Sequence, residues 1–138
     1  MEGQNPYQAP QAQVADVGAE GVKLTHKQIL FSFEGRIPRK VFWLYSLGMI
    51  IPVIVVMGIA AAINENLGMI VGVPLYIALI WSSFALQGKR WHDRDKSAWW
   101  ILIGFVPVIG SLWVLIEAGC LRGTEGSNRF GGDATELY

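Results

Sequence analysis

The sequence predicts an all-α membrane protein with three kinked transmembrane helices. Three apolar blocks, residues 41–63, 67–86 and 98–121, support this prediction. Each block has the roughly 20 residues that a helix needs to cross the hydrocarbon core of a bilayer. None has the polar stripe of a soluble amphipathic helix. Each also contains one internal proline, which removes a backbone hydrogen bond and favours a kink: Pro52, Pro74 and Pro107.

The segment before the first block divides into two parts. Residues 1–22 are rich in Gln, Ala, Gly and Pro, and they have too few large apolar side chains to offset the entropy of ordering. We therefore predict a disordered tail. Residues 23–33 mix cations with Leu, Ile and Phe, which favours a short interfacial helix over a solvated linker. The predicted domains are this tail, a membrane domain over 23–133, and a C-terminal end, 134–138.

Lysine and arginine are distributed unevenly along the chain. Five precede the first block, none lies in the turn 64–66, four lie in the loop 87–97, and two follow residue 121. Because cytoplasmic segments are enriched in these residues, we predict that the N-terminus and the second loop are cytoplasmic. With three spans, the C-terminus then lies outside, in the periplasm.

A different path of the third block would reverse the position of the C-terminus. The segment 105–110 contains a proline and a glycine, and it could turn the third block back as a re-entrant hairpin. The tail would then lie inside. We prefer the full span, because each arm of a hairpin is too short to cross and irregular backbone facing lipid is unfavourable.

The composition excludes several classes of function. A formal net charge of zero argues against nucleic-acid binding. The single cysteine, Cys120, rules out an intrachain disulfide and a cysteine zinc site.

His92 with Asp93 and Asp95 is the strongest candidate for a catalytic or metal-binding cluster, but the side chains of adjacent loop residues point in different directions. We therefore expect no enzyme, and no catalytic, metal or cofactor site.

Arginine and aspartate on the same predicted membrane face suggest a pairing between segments. Arg36 and Arg39 precede the first span, whereas Asp93 and Asp95 lie in the second loop. An ion pair between the two segments would hold the first span against the loop. We predict such a pair and expect its partners to be energetically coupled.

Four segments resemble motifs of one bacterial inner-membrane family. They are Phe33–Trp43, with Gly35-Arg36 and Trp43; Arg90–Trp100, with His92-Asp93 and Trp99-Trp100; Pro107–Gly110; and the glycine-rich Gly123–Gly131. The family is known as domain of unknown function 805 and includes the YhaH-type small membrane proteins. The resemblance covers about residues 33–133. Trp91 stands where the family usually has Leu, and Gly132-Asp133 replaces a usual Pro-Asp-Pro. The resemblance implies a multi-pass inner-membrane protein, and it supplies no catalytic residues.

The leading functional interpretation is a non-enzymatic membrane module with a basic, aromatic-rich cytoplasmic face. Such a face attracts anionic lipids, and it also suits a protein partner. The residues that we expect to contribute to it are Arg36, Arg39, Lys40, Arg90, His92, Asp93, Trp99 and Trp100. The alternative is an oligomeric transporter or channel component, assembled as a homo-oligomer through small residues such as Gly68 and Gly72. The absence of an ionisable residue at mid-depth argues against transport.

Overall fold

The computed structural model describes residues 21–138, and the regular elements within this range are helical. They are α1 (His26–Phe31), α2 (Arg39–Ile63), α3 (Glu65–Asp93), a 3-10 helix (Ala98–Phe105), α4 (Ile109–Val114), a π-helical turn (Leu115–Cys120) and α5 (Ala134–Leu137). Residues 1–20 of the predicted tail lie outside the described range.

Helices α2 and α3 form a long hairpin joined at Asn64. With 25 and 29 residues, both are long and apolar enough to cross a membrane. The Asn64 side chain caps α3 by accepting a hydrogen bond from the Asn66 N–H at 2.8 Å. The helices touch near the turn, because a Cβ on Gly68 would lie 2.9 Å from the Ala61 Cα. The first two predicted spans are therefore present as continuous helices.

The third predicted span is not confirmed, since the block 98–121 folds back on itself. The 3-10 helix ends at Phe105, and Val108 has a left-handed φ of +64° before α4 begins. The arms touch there, because a Cβ on Gly110 would lie 1.9 Å from the Ile103 carbonyl oxygen. Pro107 explains the break: it has no N–H to donate and disfavours helical backbone in the residue before it.

Neither arm of this re-entrant segment is long enough to cross a bilayer. The 3-10 arm has eight residues and is about 16 Å long. The second arm, α4 with the π-helical turn, has six residues in each part and is about 18 Å long. The hairpin considered above as the alternative is thus the arrangement that the structure has.

The C-terminal tail returns to the end of the α2–α3 hairpin where α2 begins and α3 ends, which we call the charged end. The Thr124 N–H donates to the Asp93 carbonyl at 2.7 Å, and the Tyr138 hydroxyl accepts from the Leu24 N–H at 2.9 Å. The prediction that the tail and the N-terminal segment lie on opposite sides of the membrane depended on a third span, and these contacts do not support it.

A small hydrophobic core joins the elements at the charged end. Ile29 of α1 is buried together with Ile37, Val41 and Leu86, and Tyr138 packs against this cluster. A capping box between Thr25 and Gln28 begins α1. The predicted N-terminal helix is present, and its buried residue fixes it against α2 and α3.

Candidate functional site

A buried charge network centred on Asp93 lies at the charged end. The Nη2 atom of Arg36 is 3.1 Å from Asp93 Oδ1, and both side chains are only 2% exposed. Arg90, one turn earlier on α3, bonds the other carboxylate oxygen of Asp93. The ion pair predicted between Arg36 and the second loop is therefore present, with Asp93 as the partner.

Arg36 uses its remaining donors on the backbone of the tail. Its Nη1 donates to the Gly126 and Gly131 carbonyls at 2.8 and 3.0 Å, and its Nη2 donates to the Thr124 carbonyl at 2.7 Å. These carbonyls belong to irregular backbone, whose polar groups have no helix or sheet partners. One guanidinium thus fixes the whole loop against the start of α2.

Arg90 likewise donates hydrogen bonds to backbone carbonyls, in this case those of the re-entrant segment. Its Nε donates to the Ala118 carbonyl at 2.7 Å, and its Nη2 donates to the Leu121 carbonyl at 2.8 Å. Trp43 on α2 adds a bond from its indole N–H to the Gly119 carbonyl at 3.0 Å. The last carbonyls of a helix lack internal partners, so these side chains cap the returning arm.

Lys89 and Glu117 are two further charged groups that hold neighbouring elements together at the charged end. Lys89 is fully buried, and its ammonium donates to the Ile29 carbonyl at 3.0 Å, which fastens α1 to α3. Glu117, in the π-helical turn, lies 2.9 Å from Lys96 Nζ and 2.5 Å from Arg94 Nε. These contacts hold the returning arm against the end of α3 and the residues after it.

His92 occupies a supporting position. Its Nδ1 lies 3.2 Å from the Gly35 carbonyl, and its ring stacks on Phe130 with centroids 4.0 Å apart. The Asn128 side-chain amide donates to the His92 carbonyl at 2.9 Å. Asp95 instead pairs at the surface with Arg129, at 3.1 Å. Over residues 21–138, no three His, Cys, Asp or Glu side chains cluster closely enough to hold a metal ion.

A polar cavity of about 130 Å³ opens beside this network, and we call it the basic pocket. It is lined by Pro38, Arg39, Lys40, Asp93, Arg122, Gly123, Thr135 and Tyr138. Arg39, Lys40 and Arg122 are exposed, and Arg122 pairs at the surface with Glu125 at 3.1 Å. The charge of Asp93 is already matched by two guanidinium groups, so Arg39 and Lys40 have no carboxylate partner among the lining residues. The pocket therefore presents net positive charge together with the hydroxyl-bearing residues Thr135 and Tyr138.

Asp133 shapes one wall of the basic pocket. Its carboxylate accepts hydrogen bonds from the Thr135 hydroxyl and N–H, at 2.6 and 2.8 Å, which caps α5. It also accepts from the Gly126 N–H at 2.7 Å. These bonds, those from Thr135 first, lower the pKa of Asp133 below its ordinary value. The carboxylate thus fixes Thr135 against the loop that Arg36 binds.

Apart from His92, whose supporting position is described above, the predicted site residues fall into three groups. Arg36, Arg90 and Asp93 come together but are buried. Arg39 and Lys40 line the basic pocket, while Trp99 and Trp100 stand exposed on the 3-10 helix. The prediction missed Arg122, Thr135 and Tyr138, since it placed the tail on the other side of the membrane. The proline and glycine of segment 105–110 were the signal that would have found them.

Comparison with known proteins supports the sequence resemblance. The model of the family described as "Protein of unknown function (DUF805)" matches residues 30–132. The chain belongs to this family. Its relatives in Escherichia coli (strain K12) include "Inner membrane protein YhaI", 38% identical over 73% of this chain and 84% of the relative. "Inner membrane protein YhaH" is 39% identical over 73% of this chain and 85% of the relative.

A third relative covers more of the chain. "Uncharacterized protein YiiR" of the same Escherichia coli strain is 30% identical over 83% of this chain and 93% of the relative. No solved structure matches. The names of the relatives and the two long apolar helices assign this DUF805 chain to the inner membrane, and the family description leaves its biochemical role open.

Proposed function

We propose that this DUF805 protein is a non-enzymatic membrane module that binds anionic phospholipid headgroups in the basic pocket. The observation that carries the proposal is the set of three exposed cations around one polar cavity. Arg39 and Lys40 begin a helix long enough to span the bilayer, so the pocket lies at headgroup depth.

The distribution of charge supports a cytoplasmic position for the charged end. With the third block folded back, the N-terminal segment, the second loop and the tail all lie at this end. They carry all 11 Lys and Arg residues of the chain, and the turn at the opposite end of the hairpin carries none. Two spans with a re-entrant segment therefore fit the preference of Lys and Arg for the cytoplasm better than three spans do.

The start of α2 concentrates positive charge. Arg39 and Lys40 lie in its first turn, which has no acidic residue and no side-chain cap. Cations are unfavourable there, because the helix dipole is already positive at its N-terminus. A phosphate in the basic pocket would offset this charge and accept bonds from guanidinium and ammonium donors.

The buried network supports a non-enzymatic role. Asp93 is held by two guanidinium groups, and His92 is held by the Gly35 carbonyl and Phe130. A general base needs a free proton-accepting atom within reach of a substrate, and both carboxylate oxygens of Asp93 are already paired with guanidinium groups. Asp93 and His92, which looked most reactive in the sequence, both hold the tail that forms the pocket.

The alternative of an oligomeric channel loses its main support. A Cβ on Gly68 would meet Ala61, and a Cβ on Gly72 would lie 2.9 Å from Met57 Cε. The small residues expected to join separate copies are thus used for contact within the hairpin of one chain.

The proposal is tested by lipid retention in native mass spectrometry. Protein is released from nanodiscs that contain phosphatidylglycerol and phosphatidylethanolamine. The affinity of the variant Lys40→Gln/Arg122→Gln for phosphatidylglycerol should be about 30-fold lower, since each cation contributes about 1 kcal/mol. The matched control Lys27→Gln/Arg129→Gln removes two exposed cations of the same end outside the pocket. It should retain the lipid.

Two results would overturn the assignment. Equal loss of phosphatidylglycerol in both double variants would show that the charged end attracts anionic lipid as a whole and has no specific site for it. A bound protein in place of lipid, released by Lys40→Gln/Arg122→Gln alone, would make the basic pocket a partner site. The melting temperatures of both variants should stay close to that of the parent protein, because each variant loses only one exposed ion pair, Arg122 with Glu125 or Arg129 with Asp95.

A further inference from the structure

A second concave surface, which we call the aromatic groove, lies between α3 and the 3-10 helix. Its volume is about 450 Å³, within the range of small-molecule sites. Its lining is mostly apolar and includes the aromatic side chains of Phe33, Phe84, Trp99 and Phe105. None of the described residues that line it carries a formal charge, which distinguishes it from the basic pocket.

The 3-10 conformation makes one wall of the groove straight. Residues three apart eclipse each other in a 3-10 helix, so Trp99, Leu102 and Phe105 form a single row. All three side chains line the groove and are more than half exposed, at 78%, 56% and 69%. A 3-10 helix of eight residues is unusually long. The wall it forms suits an extended hydrocarbon chain.

The two ends of the aromatic groove differ in polarity. Phe84 lies two turns before His92 on α3, and so is about 12 Å deeper along the helix. Its ring approaches that of Phe105, with centroids 6.4 Å apart, which closes the deep end with aromatic surface. His92 and Ser97 line the opposite end, beside the charged end of the hairpin.

His92 and Ser97 offer complementary hydrogen-bonding groups. The Gly35 carbonyl can only accept, so His92 Nδ1 carries the proton, and Nε2 of the neutral ring is an acceptor. The Ser97 oxygen accepts from the Trp99 N–H at 3.5 Å, which leaves its hydroxyl proton available to donate. One acceptor and one donor match the donor and acceptor of a single alcohol group.

From this arrangement we propose that the aromatic groove binds a membrane lipid whose uncharged headgroup has a free hydroxyl. The hydroxyl lies between His92 and Ser97, and the hydrocarbon chain runs along the row of Trp99, Leu102 and Phe105. This site is separate from the basic pocket and does not depend on anionic lipid binding there.

Tryptophan fluorescence tests the proposal, because bromine on a lipid chain quenches nearby indoles. The protein is placed in phosphatidylcholine nanodiscs and titrated with dibrominated stearyl alcohol. Quenching should saturate, and Trp99→Phe should remove most of the saturable part. Dibrominated stearic acid, with a charged head on the same chain, should bind about tenfold more weakly, a difference of about 1.4 kcal/mol.

Two substitutions locate the binding. Ala98→Phe places a ring in the groove and should weaken alcohol binding about tenfold. Val55→Phe adds the same ring to an exposed position on α2 and should have no effect. Ser97→Ala removes the donor and should weaken alcohol binding about two- to tenfold. Ser111→Ala, at an exposed serine within the re-entrant segment and outside the groove, is its control.

Three outcomes would overturn the proposal: quenching that rises linearly without saturation, equal binding of alcohol and acid, or equal binding by Ala98→Phe and Val55→Phe. If Ala98→Phe does not fold, Ser97→Ala decides, and unchanged alcohol affinity there rejects the site. Phosphatidylglycerol retention by Ala98→Phe should equal that of the parent protein. A failure at the aromatic groove is thereby distinguished from a failure at the basic pocket.

Discussion

Two groups of cations at the charged end have the same charge and different roles. Arg36, Lys89 and Arg90 are buried and donate to backbone carbonyls, whereas Arg39, Lys40 and Arg122 are exposed around the basic pocket. The groups interleave along the chain, since Arg36 and Arg39 are separated by only two residues. Position in the sequence thus does not separate a structural cation from one available to a ligand.

The number of backbone partners explains the difference. Arg36 reaches three carbonyls and one carboxylate, which is nearly all that its five N–H donors can satisfy. Arg39 donates to one carbonyl, that of Cys120 at 2.7 Å, and Lys40 forms no ion pair with any residue in 21–138. The buried cations supply hydrogen bonds that loop carbonyls lack from regular secondary structure. Among the exposed cations, Arg122 pairs with Glu125 at 3.1 Å, whereas Arg39 and Lys40 keep donors for a ligand.

The largest expected effect concerns the topology that brings the two groups together. In a Cys120→Ser background, single cysteines replace Lys27, Asn66 and Glu136. A membrane-impermeant maleimide should label Lys27→Cys and Glu136→Cys from one side, and Asn66→Cys only from the other. Each cysteine should be labelled from one side of the membrane only. Lys27→Cys and Glu136→Cys should share a side, because the re-entrant segment returns the tail to the charged end.

Labelling of Glu136→Cys and Asn66→Cys from the same side would contradict this topology. The third block would then cross the membrane as a full span, and Arg122 would be separated from Arg39 and Lys40. The basic pocket would not exist, and only the buried pair of Arg36 and Asp93 would remain to be explained.

The next largest effect is expected for the carboxylate of the buried network. Asp93→Asn keeps the shape of the side chain but leaves Arg36 and Arg90 buried without a counter-charge. Breaking a buried ion pair in this way costs about 3–5 kcal/mol. The measurement is the free energy of unfolding in mixed detergent micelles. Asp95→Asn, which breaks an exposed pair with Arg129, should change it by at most about 1 kcal/mol.

A double-mutant cycle separates this pair from general damage. The losses caused by Arg36→Leu and Asp93→Leu should not add, because the two side chains are 3.1 Å apart and share one network. Additive losses would show that the contact contributes no coupling. The buried group would then differ from the exposed group in accessibility alone.

Local sequence properties predicted the two long helices and one ion pair. α2 and α3 follow from uninterrupted apolar length, and Arg36 with Asp93 follows from two charged segments on one face. The fold of the third block depends on contacts distant in sequence. Pro107 and Gly110 permit a reversal, but the capping of the returning carbonyls by Arg90 and Trp43 is visible only in three dimensions.

The candidate site was predictable in part for the same reason. Arg39 and Lys40 precede a span, so their position at the membrane surface follows from the sequence. Arg122, Thr135 and Tyr138 reach the basic pocket only because the tail returns to the charged end. The aromatic groove depends on 3-10 geometry, which apolar composition alone does not distinguish from an α-helix.

The smallest expected effect concerns Gly123, which lies between the exposed cations of the basic pocket and the buried network. Gly123 lines the basic pocket, and a Cβ there would lie 1.9 Å from Asp93 Oδ2 in the buried network. Gly123→Ala should therefore lower the free energy of unfolding by about 1–3 kcal/mol, because the loop must move. Gly48, in the middle of α2, has no neighbour within 4 Å of the position that a Cβ would take, so Gly48→Ala should not lower the free energy of unfolding. Equal values for the two variants would show that the tail does not pack on Asp93. The exposed cations would then surround no pocket, because the tail supplies part of its lining. This conclusion would hold even if the buried network were stable.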